Sequence, residues 1–228
     1  MLAIPFCCLF LRLFSADPGA NDWMLKDQKD GISVYSRHSA FSKFNDIEVE
    51  VDLPGTVAQL TSILFDVEKY SQWAYCTKSA VPIRKIGANE LIYYSEINVP
   101  WPLSNRDLCA DVVLSYDSAT HSALLVCKGM KDAVPEKRGL VRIPRSMAVW
   151  NISQKSDRVV HVRYVLQIDP GGCLPAWIAN MFASKGPMES FGNLKKRMES
   201  LNSEQVGAVK AMGGQRVGAR THSGNFGG

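Results

Sequence analysis

The sequence is poor in the groups that most often carry out covalent chemistry. It has four histidines in 228 residues, and each is isolated from the others. Its six cysteines form no Cys-x-x-Cys pair. It also lacks a nucleophile elbow, a Walker loop, a dinucleotide-binding glycine fingerprint and a zinc-protease motif. We therefore expect no catalytic residues, no metal ion and no cofactor, and we expect reduced, mostly buried thiols.

Charge is scarce and nearly balanced. Charged residues make up 21% of the chain, and 26 basic residues against 22 acidic ones leave a net charge of +4. No basic stripe is interleaved with aromatic residues, so nucleic acid is not an expected partner. The small positive excess favours transient contact with an anionic membrane surface.

No apolar run reaches the roughly 20 residues that a transmembrane helix needs. Residues 1–14 are almost wholly apolar and precede small residues that end at Ala20. This length suits a signal peptide, but no basic residue precedes the run and Arg12 interrupts it. An apolar arm lying on the domain is the alternative. The protein is accordingly expected in the cytoplasm with transient membrane contact, or secreted or periplasmic if residues 1–20 are a signal peptide.

The rest of the chain reads as one domain, because no internal repeat is evident. Composition shifts near Asn202, after which the sequence is rich in glycine and poor in large apolar residues. We expect an N-terminal segment (1–20), a monomeric folded domain (21–201) and a flexible Gly-rich tail (202–228).

Hydrophobic alternation predicts a body made mostly of β-strands. Thr56 and Gln59 form a capping box at the start of an amphipathic helix over residues 56–70. The short, turn-rich connections between the later strands predict an antiparallel meander. The predicted strands cover residues 31–35, 47–53, 91–99, 108–116, 122–128, 140–143 with 146–152, and 159–169.

A long helix over residues 175–201 closes the domain, and Gly186-Pro187 predicts a kink or break inside it. Its apolar stripes oppose a basic face made of Lys195, Lys196 and Arg197. Such a helix packed on an antiparallel sheet is an α+β arrangement with a natural internal hollow. The stripes comprise Trp177, Ile178, Met181 and Phe182 before the break, and Met188, Phe191, Leu194, Met198 and Leu201 after it.

Four ordered motifs resemble the START (StAR-related lipid transfer) family, most closely its phosphatidylcholine-transfer-protein branch. The family pattern W-E-x-x-x-P-x-P-x-S-N-R-D is met by Glu96, Pro100, Pro102, Ser104, Asn105, Arg106 and Asp107. Residues 22–35, the segment DVEKYSQW at 66–73 and the junction at 169–178 are similar to three further family motifs. The resemblance covers residues 22–200, but the family's usual N-terminal helix has no clear counterpart.

The resemblance implies a helix-grip fold, in which the sheet curls around the C-terminal helix and encloses a lipid-sized tunnel. It therefore implies non-catalytic binding, and transfer between membranes, of one phospholipid or sterol-like molecule. Two other functions stay open: a lipid-responsive sensor or scaffold, and a helix-grip enzyme acting on a hydrophobic substrate.

The candidate site has a polar contact and an apolar wall. Arg106 is expected to pair with Glu96, Asp107 or a lipid phosphate, although a structural salt bridge would also explain that cluster. Gly186 and Pro187, with the turn at residues 100–104, are the candidate gate. The other candidate ligand contacts are Tyr94, Trp101, Arg163, Trp177, Met181, Met188 and Phe191, although plain core packing would also explain the helical stripe.

Overall fold

The structure is a computed structural model that describes residues 22–40, 42–175, 178–179 and 181–218, with the backbone alone described for 205–218. Ten strands form one sheet in this part of the chain. They are β1 (Met24–Lys29), β2 (Ile32–Arg37), β3 (Asp46–Pro54), β4 (Thr77–Lys85), β5 (Glu90–Ile97), β6 (Arg106–Asp117), β7 (Ser122–Gly129), β8 (Val141–Arg142), β9 (Arg145–Ser156) and β10 (Val159–Asp169).

The strand order is β1-β2-β3-β10-β9-β7-β6-β5-β4, and every pair along this path is antiparallel. The two-residue strand β8 lies off the path and pairs in parallel with the start of β6. Two meanders, β1–β3 and β4–β7, are thus joined through the long β9–β10 hairpin. The predicted α+β architecture is confirmed. Strand β3 pairs with its sequence neighbour β2 on one side and with the distant strand β10 on the other.

A short helix connects the two meanders. Helix α1 (Val57–Phe65) begins at Thr56, whose hydroxyl accepts the Gln59 N–H while the Gln59 side chain accepts the Thr56 N–H. This is the predicted capping box. The helix ends at Phe65 instead of Tyr70, because the chain tightens into a 3₁₀ turn (Val67–Gln72) after Asp66.

The closing helix begins with a π-helical turn (Met181–Lys185) and continues as α2 (Gly186–Gly218). The change of helix type falls at the predicted break, because Pro187 has no N–H to donate to the preceding turn. Helix α2 runs past residue 202, into the segment predicted as a flexible tail. Glu204, Ala208 and Lys210 are favourable helix residues there, and no proline interrupts them. Residues 219–228 lie outside the described part.

The stripe of α2 packs into the inner face of the sheet. Phe191, Leu194 and Met198 are buried there, and Met188 and Leu201 are partly buried against the same core. The Phe191 ring lies 5.2 Å from the Trp150 ring and 5.4 Å from the Tyr164 ring. The predicted apolar stripe is therefore the surface by which the helix packs against the sheet.

Two strands, β1 and β4, were not predicted, and both lie at the edges of the sheet. All six residues of β1 are exposed, so its sequence shows no apolar alternation. Strand β4 contains Pro82 and two irregularities in its pairing with β5, and most of its side chains are exposed. Edge strands that are wet on both faces lack the period-two pattern on which strand prediction depends.

Leu194→Ala is expected to lower the free energy of unfolding by about 2–5 kcal/mol, because it opens a cavity in the centre of the helix–sheet contact. Lys196→Ala, on the exposed side of the same helix, is the matched control and should change it by less than about 0.5 kcal/mol. Urea denaturation followed by circular dichroism measures both. Equal effects of the two substitutions would contradict the packing described.

Candidate functional site

The candidate polar residues divide between the two faces of strands β5 and β6. Successive side chains of a strand point to opposite faces. In β6, Ala110 and Val112 belong to the core, so Arg106 shares the inner face. Asp107 points to the outer face, directly across from Glu96 of β5.

Arg106 is a buried cation on the inner face. Its side chain is only 4% exposed. One guanidinium nitrogen, Nη1, donates to the Ser104 carbonyl, and the buried Nε has no hydrogen-bond partner. Burial lowers the pKa of Arg106, and no carboxylate among the described residues pairs with it. The predicted pairing with Glu96 or Asp107 is therefore wrong, because both carboxylates lie on the other side of the sheet.

Arg106 lies beneath the junction that leads into the closing helix. A side chain added at Gly172 would place its first carbon 4.0 Å from Arg106 Nη2. Gly171 and Gly172 both have left-handed φ angles, +70° and +61°. A first side-chain carbon at Gly171 would lie 3.0 Å from the Arg142 carbonyl oxygen. Glycine thus lets the junction turn tightly over the guanidinium.

The inner face beyond Arg106 carries side chains that are only partly buried. Desolvation raises the pKa of the Tyr164 hydroxyl, and it raises the pKa of the Cys127 thiol to about 12. Both side chains nevertheless keep some accessible surface. Leu108 and Leu166 on the sheet and Ala183 and Met188 on the closing helix are partly buried in the same way.

The outer face carries a dense ionic network around Asp107. Arg142 Nε and Nη2 donate to the two Asp107 oxygens at 2.8 and 2.9 Å. Arg142 also donates to the carbonyls of Lys131, Val134 and Pro135. The guanidinium holds the pKa of Asp107 below its usual range. This pair ties the segment between β7 and β8 to the outside of the sheet.

Glu96 and Tyr94 were predicted to contact the ligand in the interior, but the structure places both of them in the outer network. Glu96 accepts from Lys78 at 3.2 Å and from Lys137 at 3.1 Å, and these bonds lower its pKa. The Tyr94 hydroxyl donates to Asp107 at 3.2 Å, while Lys137 Nζ lies 4.1 Å from the centre of the Tyr94 ring. The two residues therefore brace the outer pair.

Trp101 and Arg163 also lie away from the interior. Trp101 is 90% exposed on the turn between β5 and β6. Arg163 points outward from β10 and forms an ion pair with Glu48 of β3. Neither residue is placed to contact a ligand inside the sheet. Val162 and Tyr164 point toward the core, so Arg163, which lies between them in β10, points to the other face.

The candidate ligand contacts on the closing helix lie on or near the face that packs against the sheet, as expected. Met188 and Phe191 face the core, and Met181 is partly exposed in the π-helical turn. Gly186 and Pro187 are buried where that turn meets α2. Trp177 lies outside the described residues.

The sequence did not single out Arg142, Lys78 or Lys137. Lys78 lies in the unpredicted strand β4, and Lys137 lies in a loop, so no periodic pattern marks either. The side of the sheet on which Arg106 lies could have been predicted from the sequence, because the apolar residues Leu108, Ala110 and Val112 follow it at two-residue spacing. The same alternation separates Arg106 from Asp107.

A further cleft of about 210 Å³ opens on the outer face, with Lys128, Met147 and Gln167 in its lining. It is smaller than the roughly 300–1,000 Å³ typical of pockets for drug-sized ligands. No three metal-ligating side chains of the described residues cluster together. No helix in the described ranges has both the length and the apolar composition that crossing a bilayer requires.

Asp107→Asn is expected to lower the free energy of unfolding at pH 7 by about 3 kcal/mol, because it leaves Arg142 buried without its anion. Asp107 has a folded-state pKa below its unfolded value of about 3.9, so its contribution is present above that pH and is lost as the pH falls through the folded pKa. Urea titrations between pH 3 and 7 should therefore show a shallower acid loss in the variant.

The exposed pair Asp66–Lys69 offers a control for that substitution. Asp66→Asn should cost less than about 1 kcal/mol. A similar small cost for Asp107→Asn would mean that the outer pair does not anchor the β7–β8 segment.

Three comparisons with known proteins agree with this geometry. Mouse phosphatidylcholine transfer protein is 28% identical over 173 residues, which cover 72% of this chain and 78% of the relative. A crystal structure of a STAR-related lipid transfer protein fragment from Xanthomonas axonopodis superposes with a TM-score of 0.72 at 26% identity, covering 78% of this chain and 99% of that one. Human STARD10 gives a TM-score of 0.72 at 19% identity and covers 92% and 86%, which supports the helix-grip fold. The START domain family model matches residues 13–204, and the chain therefore belongs to the START family.

Proposed function

We propose that the protein binds one phospholipid in the hollow between the closing helix and the inner face of the sheet, and transfers it between membranes. The observation that carries this proposal is the unpaired, buried guanidinium of Arg106 beside an apolar interior. A buried cation is strongly unfavourable unless an anion and hydrogen bonds compensate it. A lipid phosphate supplies both, since an arginine fork matches phosphate geometry.

The apolar part of the hollow suits acyl chains. Each methylene removed from water contributes about 0.8 kcal/mol, so chains alone provide substantial binding energy without a covalent bond. Leu108, Leu166 and Met188 present flexible or branched apolar surface there, and methionine adapts to chains of different shape. The same surface would accept a sterol, but a sterol leaves Arg106 without an anion, which favours a phospholipid.

The relatives support this choice of ligand. The mouse relative is named for transfer of phosphatidylcholine, and phosphatidylcholine carries the phosphate that Arg106 requires. The Xanthomonas structure is named as a lipid transfer protein. The non-catalytic role rests on these names together with the lack of catalytic motifs in the sequence.

Exchange of lipid requires an opening, and we place it at the start of the closing helix. The π-helical turn (Met181–Lys185) meets α2 at Gly186-Pro187, where proline removes a backbone donor. The residues on either side of Gly186 therefore move more easily than the part of the stripe that Leu194 and Met198 anchor in the core. Its movement would uncover the hollow.

Trp101 is the membrane contact in this proposal. It lies on the turn at the Arg106 end of β6, and its ring is almost wholly exposed. Tryptophan favours the membrane–water interface because it combines an apolar ring with one polar N–H. Lys78 and Lys137 lie at the same end of β5 and favour anionic lipid.

Arg106→Gln is expected to reduce the phospholipid that co-purifies with the protein at least tenfold, because a charge-assisted contact to phosphate is lost. Native mass spectrometry followed by lipid extraction measures the bound lipid and identifies its head group. Arg163→Gln, which removes an outward-facing arginine, is the matched control and should leave lipid loading unchanged. Loss in both variants, or in neither, would reject Arg106 as the phosphate contact, and a sterol in the extract would reject the phospholipid.

Trp101→Ala is expected to weaken binding to vesicles of phosphatidylcholine and phosphatidylserine several-fold and to slow lipid transfer, with lipid loading unchanged. Tyr116→Ala is the control, because Tyr116 is also an exposed aromatic but lies at the other end of β6, roughly 35 Å away. Vesicle co-sedimentation and transfer of a fluorescent phosphatidylcholine measure both. The membrane contact fails as proposed if the two variants sediment alike.

A further inference from the structure

The start of the closing helix is fastened to a segment outside the sheet. Ser190 Oγ accepts the Tyr75 N–H at 2.9 Å and donates to the Gly186 carbonyl at 2.8 Å. The Tyr75 ring packs against Gly186, where an added side-chain carbon would lie 3.2 Å from Tyr75 Cδ1, and it contacts the Phe182 ring at 6.1 Å. One residue, Tyr75, thus touches both sides of the helix break.

The next residue, Cys76, connects this fastening to the β5–β6 turn. Its backbone has a left-handed φ of +57°, a conformation that is uncommon for residues with side chains. In that conformation the Cys76 carbonyl accepts the Asn98 N–H at 2.8 Å. The bond joins the segment before β4 to the residue that follows β5.

Asn98 in turn belongs to the base of the turn that carries Trp101. Asn105 closes this base: its Oδ1 accepts the Val99 N–H at 3.0 Å, and its Nδ2 donates to Asn98 Oδ1 at 3.3 Å. Hydrogen bonds therefore connect the turn to Cys76 and Tyr75 to Ser190, and the covalent backbone of Tyr75 and Cys76 joins the two parts.

We propose that this series is a relay that couples membrane contact to opening of the hollow, an inference that rests on the proposed transfer function. Displacement of the Trp101 turn at a membrane pulls on Asn98 and Cys76, and thereby weakens the Tyr75–Ser190 bond. The closed state has that bond and the open state lacks it, so the membrane shifts the equilibrium by binding the open state better. Asn105 and Ser190 are positioning residues, because they act through the turn and the helix and not on the lipid.

The two states make different predictions for the amides just after Pro187. In the wild-type protein, adding vesicles of phosphatidylcholine and phosphatidylserine should speed hydrogen exchange at residues 188–192. In Ser190→Ala this exchange should already be about fivefold faster without vesicles, the effect expected from one net hydrogen bond, and vesicles should add little. Release of a fluorescent phosphatidylcholine should accelerate by a similar factor.

Ser203→Ala is the matched control on the same helix. Ser203 Oγ donates to the carbonyl four residues earlier, as Ser190 does, but Ser203 is exposed and has no hydrogen bond to another element of the described structure. It should behave as wild type, and Ser190→Thr, which keeps the hydroxyl, should restore wild-type exchange. If hydrogen exchange at residues 188–192 is the same in Ser190→Ala and Ser203→Ala, the Tyr75–Ser190 bond does not hold the closed state.

Asn105 tests the other end of the relay. Asn105→Ala should still bind vesicles through Trp101 but should lose the vesicle-induced rise in exchange at residues 188–192. Asn105→Asp keeps the acceptor for the Val99 N–H but loses the donor to Asn98 Oδ1, so it should lose the rise as well. A normal vesicle response in Asn105→Ala would overturn the coupling. Thermal unfolding of each variant separates these effects from general loss of structure.

The same experiment distinguishes failure of the relay from failure of the proposed function. A protein that carries no phospholipid and does not sediment with vesicles refutes lipid transfer. A protein that does both, but whose exchange at residues 188–192 is unaffected by vesicles, refutes the relay alone.

Discussion

The fold depends on the contact between the apolar stripe of the closing helix and the inner face of the sheet. An antiparallel sheet with one apolar face needs a partner layer to exclude water from it. Phe191, Leu194 and Met198 supply that layer, and the rings of Trp150 and Tyr164 receive them. The contact is tight in the middle of α2 and looser toward its start, where Met181 and Met188 keep accessible surface. The looser region is where we propose that the ligand binds, next to the tightly packed middle of the same contact.

The sheet also separates charge between its faces. Asp107, Arg142, Glu96 and their lysine partners form a closed network outside, in which each carboxylate has a cation. Arg106, one residue away in sequence, lies inside and has no carboxylate partner among the described residues. A one-residue step along a strand therefore separates a structural ion pair from a cation that no carboxylate in the described part of the chain neutralises. This division makes the outer network a contributor to stability, and it is the reason why we propose Arg106 as a ligand contact.

Much of the fold was predictable from the sequence, because strands with one wet face and a helix with one apolar stripe carry clear periodicity. Residues 159–169 and the stripe from Met188 to Leu201 are examples. The edge strands β1 and β4 were not predictable in this way, since they have no consistently buried side. The positions of the site residues were harder to predict than the fold. Family resemblance brought Glu96, Arg106 and Asp107 together as one cluster, whereas strand alternation, applied to the same residues, separates them. Arg142 reaches Asp107 only through the pairing of β8 with β6, and nothing local in the sequence encodes that parallel pairing.

The edge strand β4 exposes the apolar side chains of Val81 and Ile83, and no strand of the described residues pairs with its outer side. Such an edge is ordinarily a template on which another chain adds a strand. Here Pro82 lies between the two residues and removes one donor, the pairing with β5 is irregular on either side, and Arg84 and Lys85 add like charge. A second copy of this edge meets both a broken ladder and repulsion. The strand therefore tolerates exposed apolar residues without offering a regular surface for the growth of aggregates.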